Sequence, residues 1–298
     1  MFLLWLALVD LTLTLCEGIK ERGYVSNMHL TCTNMEKSKI DVALEGCSKA
    51  GIVNILALRG DPPAGQTVWT AKDAELSCAL DLIKYIKASP AAQTTNFNIT
   101  VAGYPEGHPS SMKPVPEGVD GLSESEKTRY SVDVDPETGK ETVMCCRDED
   151  YTTEMSYLKS KIDAGATAII TQMFFDAEVF GIFVKDCRQL GITVPILPGI
   201  MCISNLGGFK RMTGFCKTRI PGAVMDALVK ANEVIGEGEE AVKEAANRVK
   251  EVGIQLVVDM CSRLLEIGTP GLHFYTLNQS ATTLEIVAKL QGMGVLGA

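Results

Sequence analysis

The chain lacks the basic excess of a nucleic-acid-binding or membrane-surface protein. Its 298 residues contain 28 Lys and Arg against 37 Asp and Glu, for a formal net charge of −9. Nucleic acids and anionic membranes both favour basic surfaces, so neither is expected as a main partner. Beyond the first 16 residues, no apolar run approaches the length of a membrane-spanning helix. We therefore predict a protein with no nucleic-acid and no membrane partner.

The spacings that mark metal sites and disulfide frameworks are also missing. Eight of the ten cysteines stand singly, Cys145 and Cys146 are adjacent, and no CxxC pair or Cys/His cluster occurs. This placement is typical of cysteines that serve as small buried hydrophobic residues in a reducing compartment. It predicts a cytoplasmic protein without a metal.

The amino terminus is the one strongly apolar segment. Residues 1–9 (MFLLWLALV) precede Asp10 and carry no basic residue. A secretory signal would begin with a positive region, and a membrane span would be longer. We predict a buried strand leading into a helix over residues 11–22, with a signal peptide as the alternative.

Six short apolar runs recur along the rest of the chain. Continuous apolar character, rather than alternation, favours parallel strands buried on both faces. Helical periodicity lies between the runs, for example at Ile40, Ala43, Leu44 and Cys47. A longer helix, stopped at Gly268 and Pro270, is marked by apolar positions at Val242, Ala246, Val249, Gly253, Leu256, Met260 and Leu264. The alternation predicts an α/β fold with a parallel sheet, and periodicity alone does not separate a barrel from an open sheet. The runs are 27–32, 52–58, 97–102, 168–175, 194–200 and 272–277.

Residues 110–150 interrupt this pattern with a polar, turn-rich stretch. DPETGK has the composition of a hairpin turn between the strand-like runs YSVDV and ETVMC. So long an excursion is either a functional lid or a surface insertion.

Polar side chains gather where the predicted strands end, which is where α/β proteins place their sites. The three histidines lie in or just after strands. The chain has no GxSxG, Walker or GxGxxG motif. This inventory favours a large organic cofactor held by a few polar groups over hydrolysis or metal catalysis. A flavin is one candidate, with Arg59 or Lys161 at its pyrophosphate and Asp61 beside its ring, and a sugar-phosphate barrel is the alternative.

Six segments together resemble the methylenetetrahydrofolate reductase family, in the family's order. The resemblance implies a (β/α)8 barrel that binds FAD non-covalently. It also implies a ping-pong reaction, in which a hydride from NADPH or NADH reaches 5,10-methylenetetrahydrofolate and gives 5-methyltetrahydrofolate. The segments are HLTCTNM (29–35), NILALRGDPP (54–63), NITVAGYPEGHP (98–109), ITQMFFD (170–176), PILPGI (195–200) and LHFYTLN (272–278).

The resemblance also implies roles for individual residues. Asp61 is expected close to both flavin and folate, as the catalytic residue. Ala166 matches a position whose packing supports flavin retention. The expected folate contacts are Asp61, Gln172, Tyr275 and Gln279, and the expected FAD contacts are His29, Leu58, Arg59, Gly60, Asp61, Tyr104, His108, Glu154 and Lys161.

The sequence also departs from the family's pattern. The FEFFPPK segment, whose Glu is the general acid, is not found, so we expect an incomplete barrel with six clear βα units and at most a seventh. Gln279 stands where bacterial-type enzymes have Arg, while Gly208 and Met212 stand where they have Gln and Phe.

Two functions remain open: an active reductase, or an impaired member that binds FAD or partners and turns over folate poorly. We expect a single barrel domain over residues 1–298, forming a homo-oligomer.

Overall fold

The computed structural model describes residues 9–33, 35–60, 75–135 and 137–297. The first helix, α1 (Val9–Glu21), confirms the helix predicted near the amino terminus. The strand or signal peptide predicted for residues 1–8 lies outside the described residues.

Nine strands are formed in the described ranges. All six predicted apolar runs contain one, and both runs flanking DPETGK form strands as well. In chain order they are β1 (Asn27–Thr31), β2 (Asn54–Leu58), β3 (Asn98–Gly103), β4 (Lys113–Pro114), β5 (Tyr130–Val134), β6 (Glu141–Cys145), β7 (Ala168–Met173), β8 (Ile196–Met201) and β9 (His273–Tyr275).

Six of these strands form one sheet, in the order β1-β2-β3-β7-β8-β9. The strand pairs β1–β2, β2–β3 and β8–β9 are parallel. Asn27 lies opposite Asn54, Asn54 opposite Asn98, and Gly199 opposite His273. Each strand lies beside its predecessor in the sheet, without the reversal of order that defines a doubly wound fold. The predicted α/β fold is confirmed: in the part of the chain that the structure describes, the parallel sheet has six strands, one from each of the six predicted βα units.

The remaining helices follow the strands or lie between them. In α2 the buried residues are the four that periodicity predicted. In the long α9 the prediction was partly wrong: Val242 and Ala246 are exposed, because Ala241 and Ala245 occupy the buried face of its first turns. The helices are α2 (Lys37–Ala50), α3 (Ala79–Ala88), α4 (Pro90–Thr94), α5 (Asp148–Asp163), α6 (Ala177–Gln189), α7 (Leu206–Cys216), α8 (Gly222–Ala231), α9 (Gly238–Ile267) and α10 (Ser280–Gly292).

The polar stretch 110–150 is a small folded element rather than an irregular loop. Its strands form an antiparallel sheet in the order β4-β6-β5. Val115, Leu122 and Cys145 make a buried cluster against it. At the predicted turn the Asp135 side chain accepts hydrogen bonds from the backbone N–H groups of Glu137 and Thr138 (2.9 and 2.8 Å). The insertion therefore carries its own apolar core and turn.

The chain divides into two compact units. Unit 1 comprises Met1–Gly103 and Tyr157–Ile170, and unit 2 comprises Tyr104–Ser156 and Thr171–Ala298. Ile55 and Ile99 lie in the core of unit 1, and Phe174, Phe180 and Phe209 lie in that of unit 2. A single domain over residues 1–298 stays a prediction. None of the helices in the described ranges has both the length and the apolar character needed to cross a membrane.

Candidate functional site

In unit 1, the ends of β1 and β2 are tied together through their backbones. The N–H of Cys32 donates to the Leu58 carbonyl (3.2 Å), and that of Thr33 donates to the Arg59 carbonyl (2.9 Å). These bonds continue the β1–β2 ladder past the last strand residues. They fix the backbone from which the Arg59 side chain projects.

Gly60 follows in a conformation that favours glycine, with φ of +92°. A Cβ at this position would lie 2.9 Å from the Cβ of Thr33 and 3.2 Å from that of Thr31. The space that a side chain would need is therefore filled by Thr31 and Thr33, and both the positive φ and this packing require glycine here.

Lys161, near the end of α5, places a buried cation beside the end of β3. It is only 4% exposed, and its Nζ donates to the Ala102 carbonyl (2.7 Å). The same Nζ lies 5.1 Å from the centre of the Tyr157 ring. A buried ammonium needs such partners, and they hold the charge in one position. Ala166, shortly after α5, is buried as well.

In unit 2, the loop after β3 carries Tyr104 and His108. Their rings meet edge to face, with centroids 4.7 Å apart. His108 Nδ1 lies 2.6 Å from Ser110 Oγ and accepts a hydrogen bond from the Ser110 N–H. These contacts with Ser110 fix the orientation of the His108 imidazole. Glu154, on α5, accepts a hydrogen bond from Ser111 Oγ (2.6 Å).

A second aromatic pair lies on β9. The rings of His273 and Tyr275 are 5.0 Å apart, and Tyr275 Oη donates to the Thr171 carbonyl on β7 (2.7 Å). Burial, and then the proximity of Tyr104, raises the pKa of Tyr275, and burial lowers that of His273. Both side chains are therefore uncharged near neutral pH, which suits the binding of an aromatic ligand.

Two glutamines complete the predicted set in unit 2. The Oε1 atom of Gln172, near the end of β7, accepts a hydrogen bond from the Met173 N–H (2.8 Å). Gln279, just before α10, is exposed and accepts a hydrogen bond from Ser204 Oγ (3.3 Å). The bond at Gln172 leaves its amide N–H2 group as a donor at the strand end.

The residues predicted to contact FAD or folate are divided between the two units. Unit 1 holds His29, Leu58, Arg59, Gly60 and Lys161, and unit 2 holds Tyr104, His108, Glu154, Gln172, Tyr275 and Gln279. Asp61, predicted as the catalytic residue, lies outside the described residues. None of the ten cysteines forms a disulfide, and seven of them are buried. In the described ranges no group of His, Cys, Asp or Glu is arranged to hold a metal ion.

Three linked residues in unit 2 were not predicted from the sequence. Glu106, buried in the loop after β3, accepts a hydrogen bond from the Arg219 N–H (2.8 Å). The Arg219 guanidinium pairs with Asp176 (2.8 Å), and Asp176 caps α6. Glu106 stands within the YPEGHP segment, but nothing in the sequence pointed to a partner 113 positions away.

Comparison with known proteins finds relatives that are similar in sequence over most of this chain. A 42% identical relative, methylenetetrahydrofolate reductase (NADH) 1 of Zea mays, matches 94% of this chain and 40% of its own length. Methylenetetrahydrofolate reductase 2 of Saccharomyces cerevisiae is 36% identical over 90% of this chain and 37% of its own. The 5,10-methylenetetrahydrofolate reductase of Salmonella typhimurium is 30% identical over 93% of this chain and 74% of its own.

The chain therefore spans about 40% of the length of the maize relative and about three quarters of that of the Salmonella relative. The family model for methylenetetrahydrofolate reductase matches residues 8–291, nearly the whole sequence. This chain belongs to the methylenetetrahydrofolate reductase family.

Proposed function

We propose that this protein uses FAD to reduce 5,10-methylenetetrahydrofolate to 5-methyltetrahydrofolate, with NADH or NADPH as the hydride donor. The observation that carries the proposal is the family match over residues 8–291. The strand-end residues support it, because polar and aromatic groups stand at the carboxyl ends of β1, β2, β3, β7 and β9.

The unit 1 residues fit a flavin dinucleotide. Arg59 and Lys161 supply cations for its pyrophosphate, and the backbone of Gly60 is packed against Thr31 and Thr33, which fixes the strand end that carries Arg59. Leu58 ends β2, and His29 lies in the middle of the neighbouring strand β1, opposite Leu56. When bound, FAD supplies the chemistry of hydride transfer. The protein's part is to hold the cofactor, orient it and neutralise its phosphates.

The unit 2 residues fit a pterin ring and its surroundings. Gln172 offers an amide donor to the ring, and Tyr275 offers an uncharged aromatic surface fixed by its bond to Thr171. We propose Gln279 as a further folate contact, and Tyr104, His108 and Glu154 as further flavin contacts. Asp61 is proposed as the residue close to both ligands. A carboxylate there would disfavour an anionic reduced flavin and so favour hydride release.

The experiment that tests this function starts from the purified 298-residue chain loaded with FAD under anaerobic conditions. Addition of NADH or NADPH should bleach the flavin absorbance, and addition of 5,10-methylenetetrahydrofolate should restore it. A chain that binds no FAD, or a bound flavin that neither nucleotide bleaches, contradicts the proposal.

A second candidate function is an impaired reductase. In this candidate both hydride-transfer steps remain, but no positioned acid protonates the folate. A positioned general acid typically raises the rate of the step that it protonates by about 10²- to 10⁴-fold. This candidate predicts normal bleaching by the nicotinamide nucleotide, with restoration by folate slower by about that factor. Equal rates in both steps contradict it.

Lys161→Met is the variant that best tests the flavin assignment. Methionine keeps the length and apolar stem of lysine but removes the charge, so we expect the FAD Kd to rise by about 10-fold or more. Lys159→Met is the matched control, since Lys159 lies two residues away on α5 in an exposed pair with Asp163. Equal loss of FAD affinity in both variants, measured by fluorescence titration, contradicts a specific role for Lys161.

A cytoplasmic location and a homo-oligomer are further proposals. Light scattering on the purified chain should give a mass that is a multiple of 32.1 kDa. A monomeric mass across the working concentration range contradicts the second of them.

A further inference from the structure

A groove in unit 2 lies apart from the residues assigned to flavin and folate. It has a volume of about 1060 Å³ and runs between the hairpin β5–β6 and the segment joining α7 to α8. Tyr130, Ser131 and Met144 line it from the hairpin, and Thr213, Thr218 and Arg219 line it from the other side.

Buried polar atoms without a protein partner concentrate here. Ser131 Oγ, Thr218 Oγ1 and Arg219 Nε have no hydrogen bond to any described residue. Ser131 and Thr218 are only 5% and 4% exposed. Glu106, whose carboxyl accepts a hydrogen bond from the Arg219 N–H, has an unpartnered Oε1 as well but does not line the groove. Each unpartnered polar group costs about 1–3 kcal/mol when buried, so the three in the groove lining point to a ligand that satisfies them.

Acidic and basic side chains line the groove in equal number, with Asp133, Asp135 and Glu141 against Lys210, Lys217 and Arg219. Lys217 pairs with Asp133 and Arg219 pairs with Asp176, both at distances of 2.7–2.8 Å. The Asp135 carboxylate accepts backbone N–H groups of its own turn. The Nε–H of Arg219 and the hydroxyls of Ser131 and Thr218 still have no partner among the described residues.

The carboxyl of Glu106, which is bonded to the Arg219 N–H, does not repel an anion. Burial raises the pKa of Glu106 to about 8, against the lowering effect of the Arg219 N–H and charge. Near neutral pH the carboxyl is therefore mostly protonated and offers an O–H group. The Arg219 guanidinium also lies 5.9 Å from the centre of the Tyr130 ring, which limits its position from the hairpin side.

We propose that this groove binds a small oxyanion, a carboxylate or phosphate group, through Arg219, Ser131 and Thr218. Planar and tetrahedral oxyanions both present several acceptor oxygens, which suit a guanidinium fork flanked by hydroxyls. The proposal goes beyond the reductase function, because none of these residues is among the proposed flavin or folate contacts.

The test is calorimetric titration of the full 298-residue chain with inorganic phosphate and, separately, with glutarate. The wild type should bind at least one probe with a Kd on the order of 1 mM, and the arm that binds identifies the group. Thr218→Val should raise that Kd about 10-fold through loss of one hydrogen bond. Thr213→Val is the matched control, because Thr213 lines the same groove but its hydroxyl already bonds the carbonyls of Phe209 and Lys210.

Thermal denaturation of both variants guards against a folding artefact. Thr218→Val removes an unpartnered buried hydroxyl, so its Tm without ligand should not fall, and Ser131→Ala should weaken binding in the same way. Failure of the wild type to bind either probe at about 10 mM overturns the proposal. So does an equal rise of Kd in Thr218→Val and Thr213→Val.

Discussion

Gly199→Ala is expected to lower the free energy of unfolding by about 3 kcal/mol or more. A Cβ at this position of β8 would overlap the Thr171 carbonyl oxygen on β7. It would also lie 2.6 Å from Cε2 and 2.9 Å from Oη of Tyr275 on β9. The clash falls on backbone and on a buried ring rather than on a flexible chain end. The three strands cannot keep their spacing around it, so the native packing should be lost.

The control is another glycine of the same unit. Gly214 in α7 has no atom within 4 Å of an added Cβ, and Gly→Ala within a helix is neutral or stabilising by up to ~1 kcal/mol. Urea denaturation followed by near-ultraviolet circular dichroism compares the two variants. If Gly199→Ala unfolds at the same urea concentration as Gly214→Ala, the packing of β7, β8 and β9 described above is wrong.

The second large effect is the dependence of stability on pH through Glu106. The pKa of this carboxyl rises from its ordinary value of 4.5 to about 8 through burial, which outweighs the effects of the Arg219 N–H and charge. Between these pH values the folded chain binds about one proton more than the unfolded chain. The contribution of Glu106 is therefore fully present below pH 4.5 and is lost as the pH rises towards 8, by up to ~1.4 kcal/mol per pH unit.

Glu106→Gln should remove this dependence. Glutamine keeps an oxygen for the Arg219 N–H and cannot ionise, so the variant should match the wild type near pH 4.5. Near pH 7.5 it should exceed the wild type by roughly 3–4 kcal/mol. Chemical denaturation across this pH range measures the difference. A constant gap between the two proteins at all pH values means that Glu106 ionises normally in the folded chain.

Glu126→Gln serves as a control of opposite sign. Burial raises the pKa of Glu126, but backbone N–H groups of Ser123 and Asp148 and the charge of Arg147 bring it below its ordinary value. Ionised Glu126 therefore stabilises the fold, and this contribution is lost as the pH falls through its lowered pKa. We expect Glu126→Gln to be less stable than the wild type at neutral pH, and the gap to narrow in acid.

The strands and helices were largely predictable because their apolar spacing is local. The buried positions of α2 follow a single 3.6-residue period, and all four were predicted. In α9 the predicted positions Val242 and Ala246 are exposed, because alanines at 241 and 245 were available to fill the buried face. Small apolar residues lie on both faces of the first two turns of α9. The spacing of apolar residues therefore did not identify the buried face there.

The site was predictable only in part, for a physical reason. Polar residues that follow strands, such as Arg59 and His108, are visible in sequence because the strand ends are. The partners of Glu106 and Tyr275 are not visible, since Arg219 and Thr171 are 113 and 104 positions away. The roles of individual residues came from the family resemblance rather than from spacing.

In the proposed function the chain passes a hydride from a nicotinamide nucleotide through bound FAD to folate. This is tested by the anaerobic single-turnover yield of 5-methyltetrahydrofolate from FAD-loaded chain, given one equivalent of NADH or NADPH and excess 5,10-methylenetetrahydrofolate. We predict one 5-methyltetrahydrofolate for each nucleotide oxidised, with a reduced rate in Gln172→Ala. Nucleotide oxidation with no 5-methyltetrahydrofolate formed at any time would contradict it.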